Sequence, residues 1–180
     1  MNLPTEHAAK PNCNIELKAR LLSFEAAEKI AKAIAEVRLP DQHQIDTYFH
    51  CSEGRLKLRE IIGQRAELIA YCRANENGPK ASKYFVLPVS SPDRFKEALT
   101  TTLGIRSCVE KHRQIYLHQN VRIHLDRVSK LGDFLEFEAV LSDEHLEPDS
   151  RRLVEDLRDR FELSEGQLLR ASYGEMIEGV

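Results

Sequence analysis

Residues 121–141 read VRIHLDRVSKLGDFLEFEAVL, and the alternation in this stretch decides the fold. Ile123 and Leu125 point one way, while Arg122, His124 and Asp126 point the other. Beyond the turn signal Leu131-Gly132-Asp133, Leu135 and Phe137 oppose Glu136 and Glu138. A period of two marks strands whose two faces meet different surroundings. It predicts strands over Val121–Val128 and Phe134–Leu141. The same period predicts strands over Asn14–Leu21, Ile45–His50, Arg55–Ile61, Ala66–Arg73, Lys83–Pro88 and Val109–His118. Ser52-Glu53-Gly54 and Asn75-Glu76-Asn77-Gly78-Pro79 supply further turns, and strands joined by short turns favour antiparallel pairing.

Between the strands the period lengthens. Ser23 is placed to cap a helix with Phe24, Ala27, Ile30, Ile34 and Val37 on one face. Ser91-Pro92-Asp93 opens a second, with Phe95, Leu99 and Leu103 in line and Gly104 as its stop. Asp149 or Ser150 opens a third, striped by Leu153, Leu157 and Phe161, and a shorter helix is expected after Ser164. The sum is an α+β protein on a largely antiparallel sheet or barrel. Residues 1–13 are expected to form a flexible tail ahead of a single domain over 14–180.

The chain has 180 residues, 42% hydrophobic and 31% charged, with net charge −3. That balance suits one folded domain and excludes a nucleic-acid coat; partners are expected to include neither nucleic acid nor membrane. The polar N-terminus has no signal-peptide pattern. Cys13, Cys51, Cys72 and Cys108 form no CxxC pair, so they are expected to be buried or half-buried free thiols in a reducing cytoplasm. No GxGxxG or GxxxxGK[ST] is present.

The polar faces of the strands are nearly all ionised. Glu16, Lys18 and Arg20 oppose Ile15, Leu17 and Ala19; Arg55, Lys57 and Arg59 oppose Leu56 and Leu58. Lys111 and Arg113 alternate likewise, and Arg73 follows Tyr71. So dense a charge repels itself unless it meets opposite charge or a ligand. A barrel with a charged lumen and helices outside resolves this. Lysines and arginines lining such a lumen suit a chain of phosphates. By their pattern alone, Glu136 and Glu138 read either as partners of lumen arginines or as ligands of a hard cation such as magnesium or manganese. Tyr48, Tyr71, Tyr84 and Tyr116 read as packing or as capping residues of the cavity.

The run Asn14-Ile15-Glu16-Leu17-Lys18 resembles the ExExK signature of the CYTH superfamily, named for class IV adenylyl cyclase and thiamine triphosphatase. Residues 44–49 (QIDTYF), 54–59 (GRLKLR), 122–126 (RIHLD) and 131–138 (LGDFLEFE) resemble the strands that follow it in that family. The resemblance is nearest to the class IV adenylyl cyclase group and spans Asn14 to about Leu141.

It implies an eight-stranded antiparallel tunnel that binds a triphosphate with magnesium or manganese. Carried over by position, Lys18, Lys57, Arg59, Arg73, Lys111, Arg113 and Arg122 would contact phosphate. Glu16, Glu136 and Glu138 would hold metal. Lys111, Arg113 and Asp126 would be catalytic, with Asp126 orienting a basic residue, a water or the attacking hydroxyl. Asn14 departs from the signature, standing where its first Glu is expected. The implied substrates are ATP, inorganic triphosphate or thiamine triphosphate. The implied reaction is cyclisation of ATP to cyclic AMP and pyrophosphate, with triphosphate hydrolysis as the alternative and a non-catalytic polyphosphate-binding module as a third reading. A homodimer stays open.

Overall fold

The computed structural model describes residues 11–74, 76 and 78–179. Eight antiparallel strands close into a barrel in the order β1-β5-β4-β3-β2-β6-β7-β8. They are β1 (Asn12–Arg20), β2 (Val37–Phe49), β3 (Arg55–Ile61), β4 (Arg65–Arg73), β5 (Lys80–Val89), β6 (Ile105–His118), β7 (Val121–Val128) and β8 (Gly132–Val140). The helices are α1 (Phe24–Ile34), α2 (Pro92–Leu103), α3 (Glu147–Arg160) and α4 (Tyr173–Ile177). None among the described residues is long and apolar enough to cross a membrane.

The alternation read from the sequence is inverted relative to an ordinary half-solvated sheet. The apolar residues face outward under the helices, and the charges face in. Ile15, Leu17, Ile123, Leu125, Leu135 and Phe137 are fully buried beneath α1 and α3, in one core with Phe24, Ala27, Ala31, Val154, Leu157 and Phe161. Ser23 caps α1 by accepting from the Ala26 N–H. On the other flank, Phe95 and Leu99 of α2 cover Phe49, Leu58 and the partly buried Leu56. The outer face of β5 keeps Phe85 and Leu87 exposed.

Several boundaries differ from the sequence reading. The strand expected from Ile45 begins at Val37, so Val37 starts β2 instead of finishing α1. Its first half passes Pro40 at a register shift between Leu39 and Gln42, which breaks the period of two. β1 includes Asn12 and Cys13, and α3 starts at Glu147. Residues 1–10 of the tail expected over 1–13, and Asn75 and Asn77 of the β4–β5 turn, lie outside the described residues. Ser91 precedes α2 without a side-chain capping bond. The short helix expected after Ser164 is a 3-10 turn, Glu165–Gln167. The cysteines are free, but Cys51, Cys72 and Cys108 are exposed and only Cys13 is half-buried. Cys72 and Cys108 stand on outward positions of β4 and β6, and Cys51 lies in the β2–β3 turn.

One element absent from the sequence reading shapes the site. Pairing of β1 with β5 ends at Glu16↔Lys80, which leaves the backbone beyond it unpaired on that side. The C-terminal segment takes the vacancy: Ala19 bridges Leu168, and the Leu169 N–H donates to the Lys18 carbonyl. Lys80, fully buried, donates to the carbonyls of Glu76, Leu169 and Arg170 and fastens the same segment. α4 is thereby set across one end of the barrel, and a capping box from Ser172 and Glu175 starts it.

Candidate active site

The lumen is a single cavity of about 460 Å³. Its wall includes Glu16, Lys18, Lys57, Arg59, Arg73, Lys111, Arg113, Arg122, Glu136 and Glu138, so these sequence-predicted site residues share one space. Tyr48, Tyr71 and Tyr84 also line it, whereas Tyr116 packs outside among the core residues under α1.

Strand register explains how so many charges coexist. Facing strands set opposite signs across from one another: Lys18 opposite Glu136, Arg113 opposite Asp126, Arg122 opposite Glu138 and Asp46 opposite Arg59. Two carboxylates organise the cations. Asp46, on β2 and fully buried, accepts from Lys57 at 2.9 Å, Lys111 at 2.8 Å and the Arg59 guanidinium at 2.8 and 3.1 Å. Burial alone would raise its pKa, but Arg59, Lys111 and Lys57 hold it well below the usual carboxylate range. Sequence reading passed over Asp46. The signal available was its alternation with Gln44 and Tyr48 on one face of β2.

Asp126 is fully buried and is not part of the cavity wall. It lies behind Arg113, accepting from that guanidinium at 2.7 and 2.6 Å and from the Tyr173 hydroxyl at 2.9 Å. Against the cost of burial, Arg113 holds the Asp126 pKa at about 2. Of the tasks inferred for Asp126, this geometry serves the orientation of a basic residue. Arg113 in turn reaches Glu136 at 2.9 Å, and Lys18 meets Glu136 at 2.7 Å while lying 3.6 Å above the Tyr173 ring.

The acidic side of the lumen is built by β7, β8 and β1. Ligand atoms of His124, Glu136 and Glu138 lie within 4.8 Å of one another. Glu16 faces Glu138 in register, but its carboxylate turns to the Arg73 guanidinium instead of joining that cluster. Burial raises Glu16, with Glu136 adding to the rise, whereas Glu136 is held well below its usual range against burial by Lys18, His124 and Arg113. Burial and the Arg113 charge push His124 down, toward the neutral imidazole that ligates metals. The Asn14 Oδ1 on the same face of β1 is buried without a partner. Two close carboxylates and an imidazole pushed toward its neutral form make a donor set that fits a hard divalent cation. The sequence reading had not included His124.

α4 seals the end of the lumen behind this cluster. Arg55 donates to Glu175 at 2.9 Å and Arg106 to Glu178 at 2.6 Å, tying the helix to β3 and β6. Gly174 lies flat on the barrel wall: a Cβ there would stand 2.9 Å from the Tyr48 ring and 3.0 Å from the Ser107 Oγ. Gly174→Ala is therefore expected to lift α4 and cost about 1–3 kcal/mol, the usual range for overpacking. Thermal unfolding checks it, and a parent-like melting temperature would show that α4 is not held where it lies.

Comparisons with known proteins agree with this fold. The family model of the CYTH domain matches residues 12–173. The chain is 29% identical over 169 residues to the adenylate cyclase CyaB of Aeromonas hydrophila, covering 91% of this chain and 88% of that one. The PH1012 protein of Pyrococcus horikoshii OT3 superposes with a TM-score of 0.77 at 25% identity, over 90% of this chain and 98% of that one. HpAC1 from Hippeastrum, a protein with a dominant triphosphatase activity, shares the fold with a TM-score of 0.64 at 15% identity, over 92% and 95% of the two chains.

Proposed function

The chain belongs to the CYTH family, and from that premise we propose that it is a divalent-metal-dependent enzyme that converts ATP to cyclic AMP and pyrophosphate in its barrel lumen. One observation carries the reading: cations from five strands, β1, β3, β4, β6 and β7, converge on one lumen that the carboxylates of Glu16, Glu136 and Glu138 also line. The Aeromonas relative gives the cyclase its place ahead of hydrolysis.

In this reading Lys57, Arg59 and Lys111, gathered by Asp46, take phosphate oxygens from one side, and Arg113 does so from the other. Lys18 and Arg73 turn from their carboxylates to phosphate, and Arg122 waits nearer the rim, its side chain 42% exposed. Glu136 and Glu138 with His124, and Glu16 once it turns from Arg73, would hold a magnesium or manganese ion, which when bound neutralises phosphate charge. The 3′-hydroxyl oxygen of the ribose bonds to the α-phosphorus, the bond from that phosphorus to its bridging oxygen breaks, and pyrophosphate leaves with the electron pair. The hydroxyl proton passes to solvent or a nearby base. Charge grows on the leaving oxygens, so cations already held in place lower the barrier without reorganising.

Product analysis tests this. Incubation of the protein with ATP, tripolyphosphate or thiamine triphosphate, plus magnesium or manganese, should yield cyclic AMP and pyrophosphate from ATP. Orthophosphate alone would establish the hydrolase instead. Tight binding without any product would establish the binding module.

The lysines add a pH dependence. Burial, aided by Arg59 for Lys57 and by Arg113, Arg59 and Lys57 for Lys111, outweighs Asp46 and brings Lys57 to about 8 and Lys111 to about 7. A bound polyanion favours the ammonium form and raises both values, so binding above pH 7 takes up protons. Affinity for tripolyphosphate should therefore fall as pH rises from 7 to 9, by up to about tenfold per unit for each proton required. Calorimetry in buffers of different ionisation enthalpy should register the uptake. Affinity independent of pH over that window would show that both lysines are already charged.

A further inference from the structure

Tyr173, the first residue of α4, lines the lumen although it lies outside the barrel's strands, and it is 2% exposed. Its ring packs at a tilt on Phe134, with centroids 5.0 Å apart. The Lys18 Nζ lies 3.6 Å from the ring centroid and the Lys111 Nζ 5.4 Å from it. Both distances fall within the reach at which a ring quadrupole attracts an ammonium, and the attraction is strongest where water is excluded. Both lysines are buried.

At the far end of the side chain, the hydroxyl donates to the Asp126 Oδ2, the same oxygen that accepts from the Arg113 Nη2. Burial, with the charges of Asp126 and Glu136, pushes the phenol well above its ordinary value, so it stays protonated and remains a donor. A carboxylate held by one guanidinium can swing with it. A second donor from a different element fixes the carboxylate, and with it the plane of the guanidinium fork. The ring serves Lys18 in a comparable way. Lys18 meets Glu136 at 2.7 Å as well as the ring. An ammonium that turns from Glu136 to a phosphate keeps the ring beneath it, and gives up one contact instead of two.

We propose that Tyr173 is a positioning residue for two phosphate-binding cations: its hydroxyl fixes Arg113 through Asp126, and its ring holds Lys18 as that ammonium turns from Glu136 to phosphate. The inference rests on the triphosphate reading above and adds to it that α4 takes part in the reaction as well as closing the lumen. Lys18 stands on β1 and Arg113 on β6, strands that are not neighbours in the barrel. No strand register links these two cations directly, and one side chain of α4 sets them relative to each other.

The test sets affinity against turnover in the intact protein. Calorimetry with tripolyphosphate and no added metal gives the affinity, and kcat is taken with the triphosphate that the parent converts. Tyr173→Phe deletes the hydroxyl and keeps the ring. It should lower kcat about tenfold or more while affinity stays within about threefold. On the Arg113→Ala background the same change should cost little, because no guanidinium is left for Asp126 to orient. Tyr173→Leu deletes the ring as well and should weaken tripolyphosphate binding about tenfold. Most of that further loss should vanish on the Lys18→Met background. Tyr173→Met fills the space with another apolar chain and repeats the ring test should the leucine protein fold poorly. A tyrosine that only packs would lower the melting temperature without splitting kcat from affinity. Parent-like kcat in Tyr173→Phe, or a loss that multiplies undiminished on Arg113→Ala, overturns the part given to the hydroxyl. Unchanged affinity in the ring variants overturns the part given to the ring. A parent that binds tripolyphosphate yet forms no product from any triphosphate overturns the hydroxyl's part together with the enzymatic reading. A parent that binds none overturns the triphosphate reading beneath both.

Discussion

Asp46→Asn should lower the melting temperature by about 10 °C, and tripolyphosphate should restore much of the loss. The substitution keeps the side chain's volume and removes its charge. It leaves Lys57, Arg59 and Lys111, which all draw on this carboxylate, gathered in a buried space with no anion at their centre. Breaking a buried ion pair by deleting one partner costs about 3–5 kcal/mol, because the partner left behind stays desolvated. For a chain of this size, about 2–4 °C of melting temperature follows each kcal/mol. A polyanion that binds only the folded barrel replaces the missing charge and stabilises in proportion to its concentration over Kd. Calorimetric scans of parent and variant, with and without tripolyphosphate, supply the comparison. Should the variant melt with the parent, the three cations are balanced by something other than Asp46. Should tripolyphosphate stabilise the parent and leave the variant untouched, the cluster does not hold phosphate.

Asp46 also illustrates what the chain discloses when read in one dimension. β3 and β7 begin and end where their alternation says, because each is short, regular and flanked by clear turns. Their inward charges are legible for the same reason. Asp46 sits in a strand whose apolar pattern is blurred by Gln42, Gln44 and Thr47, and its partners come from 11, 13 and 65 residues away. Nothing in the local sequence says that those cations will meet at one carboxylate. Only the barrel's register does.

α4 was hidden for a different reason. At five residues it is too short to show a helical period, and its stability comes from the capping box and from Arg55 and Arg106 on distant strands. With it came Tyr173, whose ring lies beneath Lys18 and whose hydroxyl donates to Asp126. The apolar positions of the lumen were equally invisible. Ile61, Val86 and Ile115 look in sequence like any other strand residues, and only closure of the sheet turns them toward the same space as the charges. Asn14 went the other way: the sequence marked it as a departure, and the structure gives that departure a physical form in an amide oxygen buried without a partner.

The largest loss of turnover is expected from Arg113→Ala, about 10²-fold or more, with Asp126→Asn close behind it. Arg113 is the cation that both acidic groups address: Asp126 grips it bidentately from behind, and Glu136 meets it from the cavity side. A guanidinium fixed by two parallel bonds presents its remaining donors in one direction, so it meets charge building on phosphate without first being reoriented. Removing one such donor typically costs 10²–10³ in turnover. Asp126 is not part of the cavity wall, so its effect passes through the groups that it holds, the Arg113 guanidinium foremost and the Tyr173 hydroxyl beside it. An amide at Asp126 retains one acceptor but offers its NH₂ to a guanidinium that can only donate, which breaks the fork. The signature of that positioning role is non-additivity: Asp126→Asn combined with Arg113→Ala should be little slower than Arg113→Ala alone, since the aspartate has no guanidinium left to hold and an amide oxygen still accepts from the Tyr173 hydroxyl. Affinity for tripolyphosphate should fall much less than kcat in the Asp126→Asn protein, because the other cations still gather phosphate. Independent losses that multiply in the double variant would mean that Asp126 acts on the reaction by another route, and a loss confined to affinity would make Arg113 a ground-state clamp.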